Sequence, residues 1–109
     1  MIRVVIGRRD GYIDAYRISG HAGYEDYGKD IICSAVSMLA INTVNSLQML
    51  AGETCEVCQD ETDGLLSVTF DHRPNAEADL LLKSFELGIQ GVIDQYGNEF
   101  VSLVYETND

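Results

Sequence analysis

A histidine and a cysteine, the pair that cleaves acyl bonds by nucleophilic attack, lie twelve positions apart as His21 and Cys33 in Ser19-Gly-His-Ala-Gly-Tyr-Glu-Asp-Tyr-Gly-Lys-Asp-Ile-Ile-Cys-Ser-Ala-Val-Ser37. A cysteine attacks carbonyls as its thiolate, and an imidazole within hydrogen-bond reach takes up the thiol proton. Twelve residues are enough for the chain to fold back and set one beside the other. If a helix opens at Ile31 with Asp30 as its N-cap, Cys33 falls in the first turn, where open backbone N–H groups and the positive end of the helix dipole favour an anion. The amides near Ser34 and Ala35 would then suit the oxyanion of a tetrahedral intermediate. A plainer reading stands beside this one. Cysteine is among the residues most often buried, and Cys33 adjoins Ile31 and Ile32, so a structural thiol in a core helix fits the same letters. Asp30 needs no purpose beyond capping, and Ser37, one turn past Cys33, is placed to face a pocket mouth.

The elements that must position these residues follow from the hydrophobic pattern. Residues 2 to 8 and Tyr12 to Ser19 alternate around Asp10-Gly11, a tight-turn signal, and predict a β-hairpin. Gly20 to Lys29 holds three glycines and three charges and reads as a surface loop. From Ile31, apolar positions Ile32, Val36, Leu39, Ala40, Thr43, Leu47 and Leu50 recur at helical spacing up to Gly52. Thr54 to Gln59 and Leu65 to Asp71 flank the turn-rich residues 60 to 64 and predict a second hairpin, with Leu66, Val68 and Phe70 on one face. Pro74-Asn75 opens a second helix, acidic in its first turn at Glu77 and Asp79, whose stripe from Leu81 and Leu82 to Tyr96 stops at Gly97. Phe100 to Tyr105 is a last strand. The order ββαββαβ predicts an α+β two-layer sandwich, a mainly antiparallel sheet carrying two helices, with residues 1–109 as one domain. Gly88 and Gly91 inside the second helix weaken it by about 1 kcal/mol each relative to alanine, so a backbone packed closely against them is expected.

Composition narrows the function. Eighteen Asp and Glu against seven Lys and Arg give a formal net charge of −11. Such a surface repels the phosphates that dominate nucleic-acid affinity and draws in basic proteins or peptides. No apolar run matches a signal peptide, and the run from Ile31 to Ile41 falls short of the roughly 20 residues of a membrane span. A cytoplasmic protein without membrane contact is expected, with its odd count of three cysteines as thiols rather than a disulfide framework.

Cys55-Glu-Val-Cys58 has the spacing of a zinc half-site or a redox pair. In a strand, positions three apart point to opposite faces, and only His72, His21 and Cys33 remain as further ligands, so no metal and no cofactor are expected. Cys55 and Cys58 read as strand residues, and His72 as a solvated histidine at a strand exit. Cys33 also lacks the arginine six residues on that a cysteine phosphatase needs, since position 39 is leucine.

The segment Gly20-His21-Ala22, a glycine-bearing loop, and Gly28-Lys29-Asp30-Ile31-Ile32-Cys33-Ser34-Ala35-Val36-Ser37 together closely resemble the signature of the ribosomal-processing cysteine proteases, the Prp family. The resemblance covers essentially the whole chain, including size, acidic balance and element order. It implies that His21 is the base, Cys33 the nucleophile, and Asp30 the aspartate of the family's motif. It further implies a homodimeric cytoplasmic endopeptidase that removes an N-terminal extension from the large-subunit ribosomal protein L twenty-seven, a basic substrate that suits the charge. The loop after the histidine would be a flap hinged at Gly23 and Gly28, with Tyr24 and Tyr27 available to pack on a peptide. Ser34, where alanine is more usual, and Ile32, where valine is usual, are departures that leave both dyad members in place. The alternative is a noncatalytic ribosome-assembly or protein-binding module of the same fold.

Overall fold

The computed structural model describes residues 1–20, 29–60, 62 and 64–108, with side chains for all of these except residues 29 and 30. Its elements are β1 (Ile2–Arg9), β2 (Tyr12–Ser19), α1 (Lys29–Met49), β3 (Glu56–Asp60), β4 (Leu65–Thr69), α2 (Ala76–Tyr96) and β5 (Val101–Thr107), in the order expected from the sequence. The five strands form one sheet in the order β3-β4-β2-β1-β5. Three neighbouring pairs are antiparallel, while β5 returns beside β1 in parallel, Ile2 opposite Val101 through Arg8 opposite Thr107. The helix before β5 crosses the sheet and delivers the last strand in the direction of the first, which a hairpin cannot do.

The first hairpin turns at Asp10 and Gly11, both at positive φ (52° and 85°), the backbone of a two-residue type I′ turn. Its register slips after Gly7, where Gly7 faces Ala15 but Arg8 faces Ile13, so Asp14 is a bulged extra residue. The bulge explains why Ile13 and Asp14, neighbours that strict alternation would place on opposite faces, are both buried. The Asp14 carboxylate is met by Arg9 Nε at 3.3 Å and Asn108 Nδ2 at 2.9 Å.

Both helices contribute to one core. Ile32, Val36, Ala40, Val44 and Leu47 of α1 and Ala78, Leu82, Phe85 and Ile89 of α2 pack with Val4, Ile6, Tyr16, Leu66, Val68 and Phe70 of the sheet side. The α1 stripe ends at Leu47, not Leu50. Helix α1 stops at Met49, and Leu50 is 77% exposed in the turn that follows. There Leu50 and Ala51 N–H share the Ser46 carbonyl, Glu53 N–H reaches Leu47, and Gly52 takes the positive φ of 66° that the exit requires. Helix α2 follows its sequence signals: the Asn75 side chain accepts from Ala78 N–H at 2.8 Å, and Gly97, at φ 87°, caps the last turn through Ile93.

Two expectations change. The strand after α1 begins at Glu56, so Cys55 precedes it and Cys58 lies within it. Gly88 does not meet another backbone: a Cβ there would touch the Leu39 side chain at 3.0 Å, and one at Gly91 would meet nothing within 4 Å. Ile31–Met49 is long and apolar enough, by length and composition alone, to cross a membrane. Its buried stripe shows where much of that apolarity goes, into the shared core.

Candidate active site

Helix α1 begins at Lys29, two residues earlier than the capping pattern suggested. Asp30 therefore lies inside the first turn and is not the N-cap; an acidic residue suits the positive helix end in either place. Lys29 is a good helix former and extends the helix back toward the glycine-rich loop. Cys33 becomes the fifth helical residue. By the i→i−4 pattern the amides of Ser34 and Ala35 pair within the helix, with the carbonyls of Asp30 and Ile31, and are not open to an oxyanion. The amides without an intrahelical acceptor at this end belong to the turn before Cys33, over which a helical side chain leans.

Cys33 is half-buried and packs against the core cluster. Among the described residues no disulfide forms. One turn further along α1, at Ser37, opens a cleft of about 170 Å³ between α1, the end of β2 and the β3–β4 hairpin, lined by Ile18, Ser37, Ile41, Asp60, Leu65 and Leu66 among others. Ser37, one turn from Cys33, forms one wall, as its position in the sequence suggested. Ile18 forms another, three residues before His21. Between them Gly20 turns the chain out of the sheet at φ 88°, so close to the N-terminal strand that a Cβ would run into the Met1 carbonyl oxygen. The strand leading to His21 and the helix bearing Cys33 thus border one cleft. The imidazole of His21, the hinge positions Gly23 and Gly28, Tyr24 and Tyr27, and the side chain of Asp30 lie outside the described residues.

A wider apolar groove of about 590 Å³ runs between α1 and α2, over Ala35, Met38, Leu39, Gly88, Val92 and Tyr96. Helix α1 therefore presents three faces: Ile32, Val36 and Ala40 to the core, Ser37 and Ile41 to the cleft, and Ala35, Met38 and Asn42 to the groove.

The other cysteines differ in setting. Burial, countered by a hydrogen bond with Gln48 and reinforced by Glu53, pushes the Cys55 thiol up and keeps it protonated; Cys58 is exposed on the sheet edge. Among the described residues no three His, Cys, Asp or Glu side chains gather to hold a metal.

The sequence reading missed a polar clasp. His72 is not merely solvated: Nδ1 meets Asp71 at 2.7 Å and Nε2 meets Glu53 at 3.0 Å. With a carboxylate at each nitrogen, the hydrogen bonds from Asp71 and then Glu53 raise its pKa above the usual histidine value. For Glu53, burial acts upward, but the Asn75 amide and His72 together outweigh it and lower the carboxyl. Glu53 thereby ties the exit of α1 to the start of α2, where Asn75 Nδ2 also donates to the Ala51 carbonyl at 2.9 Å. The N-cap pattern at Asn75 was the available signal; the partner at Glu53, 22 positions away, carried none.

A half-buried cysteine one turn from an apolar cleft, on a two-helix α+β sandwich, places the chain among cysteine proteases when set beside known proteins. The sequence profile of the family described as cysteine protease Prp matches residues 1–101, and the chain belongs to that family. The ribosomal processing cysteine protease Prp of Staphylococcus aureus (strain Mu50) is 30% identical over 107 residues, covering 97% of this chain and all of that protein. The crystal structure of SMU.848 from Streptococcus mutans superposes with a TM-score of 0.89 at 35% identity, over 99% of this chain and 96% of that one. The S. aureus protease bound to a covalently linked product peptide superposes with a TM-score of 0.86 at 30% identity, over 97% and 100% of the two chains. The chain is a cysteine protease with the α+β fold of these structures.

Proposed function

We propose that this protease trims a ribosomal protein precursor through a Cys33/His21 dyad, and that its substrate is ribosomal protein L twenty-seven with an N-terminal extension. The observation that carries the reading is the shared cleft: the end of β2, which leads to His21, and the α1 turn after Cys33 border the same apolar trough. The covalent product peptide on the S. aureus relative fits a thiol that forms an acyl-enzyme. In this mechanism His21 takes the Cys33 proton and the sulfur attacks the scissile carbonyl, the charge passing to the carbonyl oxygen. The tetrahedral adduct collapses, His21 returns the proton to the leaving amine, and water, deprotonated by His21, hydrolyses the thioester. The first-turn amides of α1, which have no intrahelical acceptor, are the donors this reading assigns to the oxyanion. Asp30 sits in that turn as a supporting group, and Gly23 and Gly28 hinge the loop over the bound peptide.

The acidic surface, net −11, attracts a basic ribosomal substrate. We assign the homodimer that the resemblance implies to the α1–α2 groove, where Met38 and Tyr96 are 61% and 47% exposed. The cytoplasm, where ribosomal proteins are made, is the proposed compartment.

The test is mass spectrometry of the precursor, carrying its encoded N-terminus, after incubation with the wild type and with Cys33→Ala. A defined N-terminal loss seen only with the wild type supports the reading. Equal cutting by Cys33→Ala refutes it.

A further inference from the structure

Tyr16 lies at the centre of the molecule. It sits on β2, the middle strand of the sheet, between Ile6 of β1 and Val68 of β4. Its ring packs on Phe85 of α2 with centroids 4.4 Å apart, and it is 2% exposed. Its hydroxyl donates to the backbone carbonyl of Ala40 in α1 at 2.8 Å. The next carbonyl back, Leu39, also takes an additional donor, the Thr43 hydroxyl at 2.6 Å. Burial, joined by Cys55 once its thiol ionises at high pH, raises the phenol pKa well above the ordinary tyrosine value against a smaller pull from the Val44 amide, so the hydroxyl stays a donor.

Packing alone gives no reason for this hydroxyl. Phenylalanine would fill the ring's place without burying a polar group, and the Ala40 carbonyl already has its helical partner. What a hydroxyl adds is direction. Helix α1 also lies on the sheet through apolar side chains, whose attraction constrains sliding and rotation weakly. Ala40 is small and fully buried, which lets the strand reach the helix backbone itself. It lies on the same helix face as Cys33, seven residues and about 10 Å along the axis. Tyr16 lies five residues before His21 on the strand that leads to it.

We propose that the Tyr16 hydroxyl is a positioning contact that sets the register of α1 on β2, and with it the placement of Cys33 relative to the chain leading to His21. The inference rests on the dyad reading above.

Tyr16→Phe tests it, with Ile89→Val as a control that loses a comparable share of stability from the core of α2 without touching the hydroxyl. Cleavage of the L twenty-seven precursor is measured well below both melting temperatures. Misplacing reacting groups by fractions of an ångström lowers the rate more than it weakens binding, so Tyr16→Phe is expected to lose about tenfold in kcat with KM within about twofold. Ile89→Val is expected to keep wild-type kcat. A Tyr16→Phe enzyme with kcat within about twofold of wild type, or an equal loss in both variants, overturns the positioning role. Cutting that survives Cys33→Ala refutes the dyad reading, and this role with it, before Tyr16 is changed.

Discussion

Replacing Asn75 by alanine removes two contacts from the junction of the helices: the cap on Ala78 N–H and the donation to the Ala51 carbonyl. The cap contributes about 1 kcal/mol. The second bond, at an exposed site, adds about 0.5–1 kcal/mol, from the lower part of the range for hydrogen bonds. The backbone bond from Asn75 to Glu53 survives the change. Unfolding entropy near the melting temperature, at ~2.1 cal/mol/K per residue, comes to about 0.23 kcal/mol/K for a chain of this length. Asn75→Ala is therefore expected to lower Tm by about 6–9 °C. Serine keeps the cap and loses only the amide donor, so Asn75→Ser is expected to lose about 2–4 °C. Differential scanning calorimetry on the three proteins at neutral pH reads the result, with urea m-values checking that the same surface is exposed. An Asn75→Ala protein melting within about 2 °C of wild type, or Asn75→Ser as unstable as Asn75→Ala, refutes the division of labour.

The clasp makes stability depend on pH at both ends. The Glu53 contribution is present above its unfolded pKa and is lost as pH falls through the lowered folded value; that of His72 is complete below its unfolded pKa and is lost as pH rises through the raised one. His72→Ala should thus be less stable than wild type at about pH 6 and indistinguishable from it at about pH 9, a difference of melting curves that a pH-independent gap would contradict. Gly20→Ala places a Cβ at φ 88° against the Met1 carbonyl, costing about 1–2 kcal/mol from the backbone conformation alone, and should lower both Tm and precursor cleavage; unchanged values would refute the tight exit from β2. Asn108→Ala leaves the buried Asp14 carboxylate short of a donor and should cost about 1–3 kcal/mol in urea titrations; no loss would mean that Arg9 alone satisfies it.

The local fold was legible because its signals are local. Asp10-Gly11, Asn75 and Gly97 each name a turn or cap, and Leu66, Val68 and Phe70 alternate onto the core as two-residue spacing requires. The parallel partnership of β1 with β5 left no such mark, since it joins residues far apart in the chain, and the bulge at Asp14 left none because it interrupts an otherwise regular hairpin pattern. At the site, Ser37 lines the cleft as its helical spacing suggested, one turn along α1 from Cys33. The start of α1 was misjudged because a Gly-Lys-Asp run carries no unique stop. Starting the helix at Lys29 and not Ile31 shifts the amides that lack an intrahelical partner from the turn that holds Cys33 to the turn before it, and the amides of Ser34 and Ala35 pair within the helix from either start. Tyr16, Glu53 and His72 were missed as structural ties because their partners are backbone or side-chain atoms of distant elements.

The parallel pairing of β1 with β5 also fixes when the fold can close. The first strand precedes every other element in the chain, and its outer edge stays unpaired until Val101–Thr107 has been made. A nascent chain carrying β1 to α2 holds Cys33 and the chain around it but presents a bare strand edge along the whole of β1. Closure thus waits for β5, and it joins the first element of the fold to the last, the kind of contact that slows folding most. A chain cut short before Val101 would leave the ribosome as an aggregation-prone sheet rather than as a smaller protease.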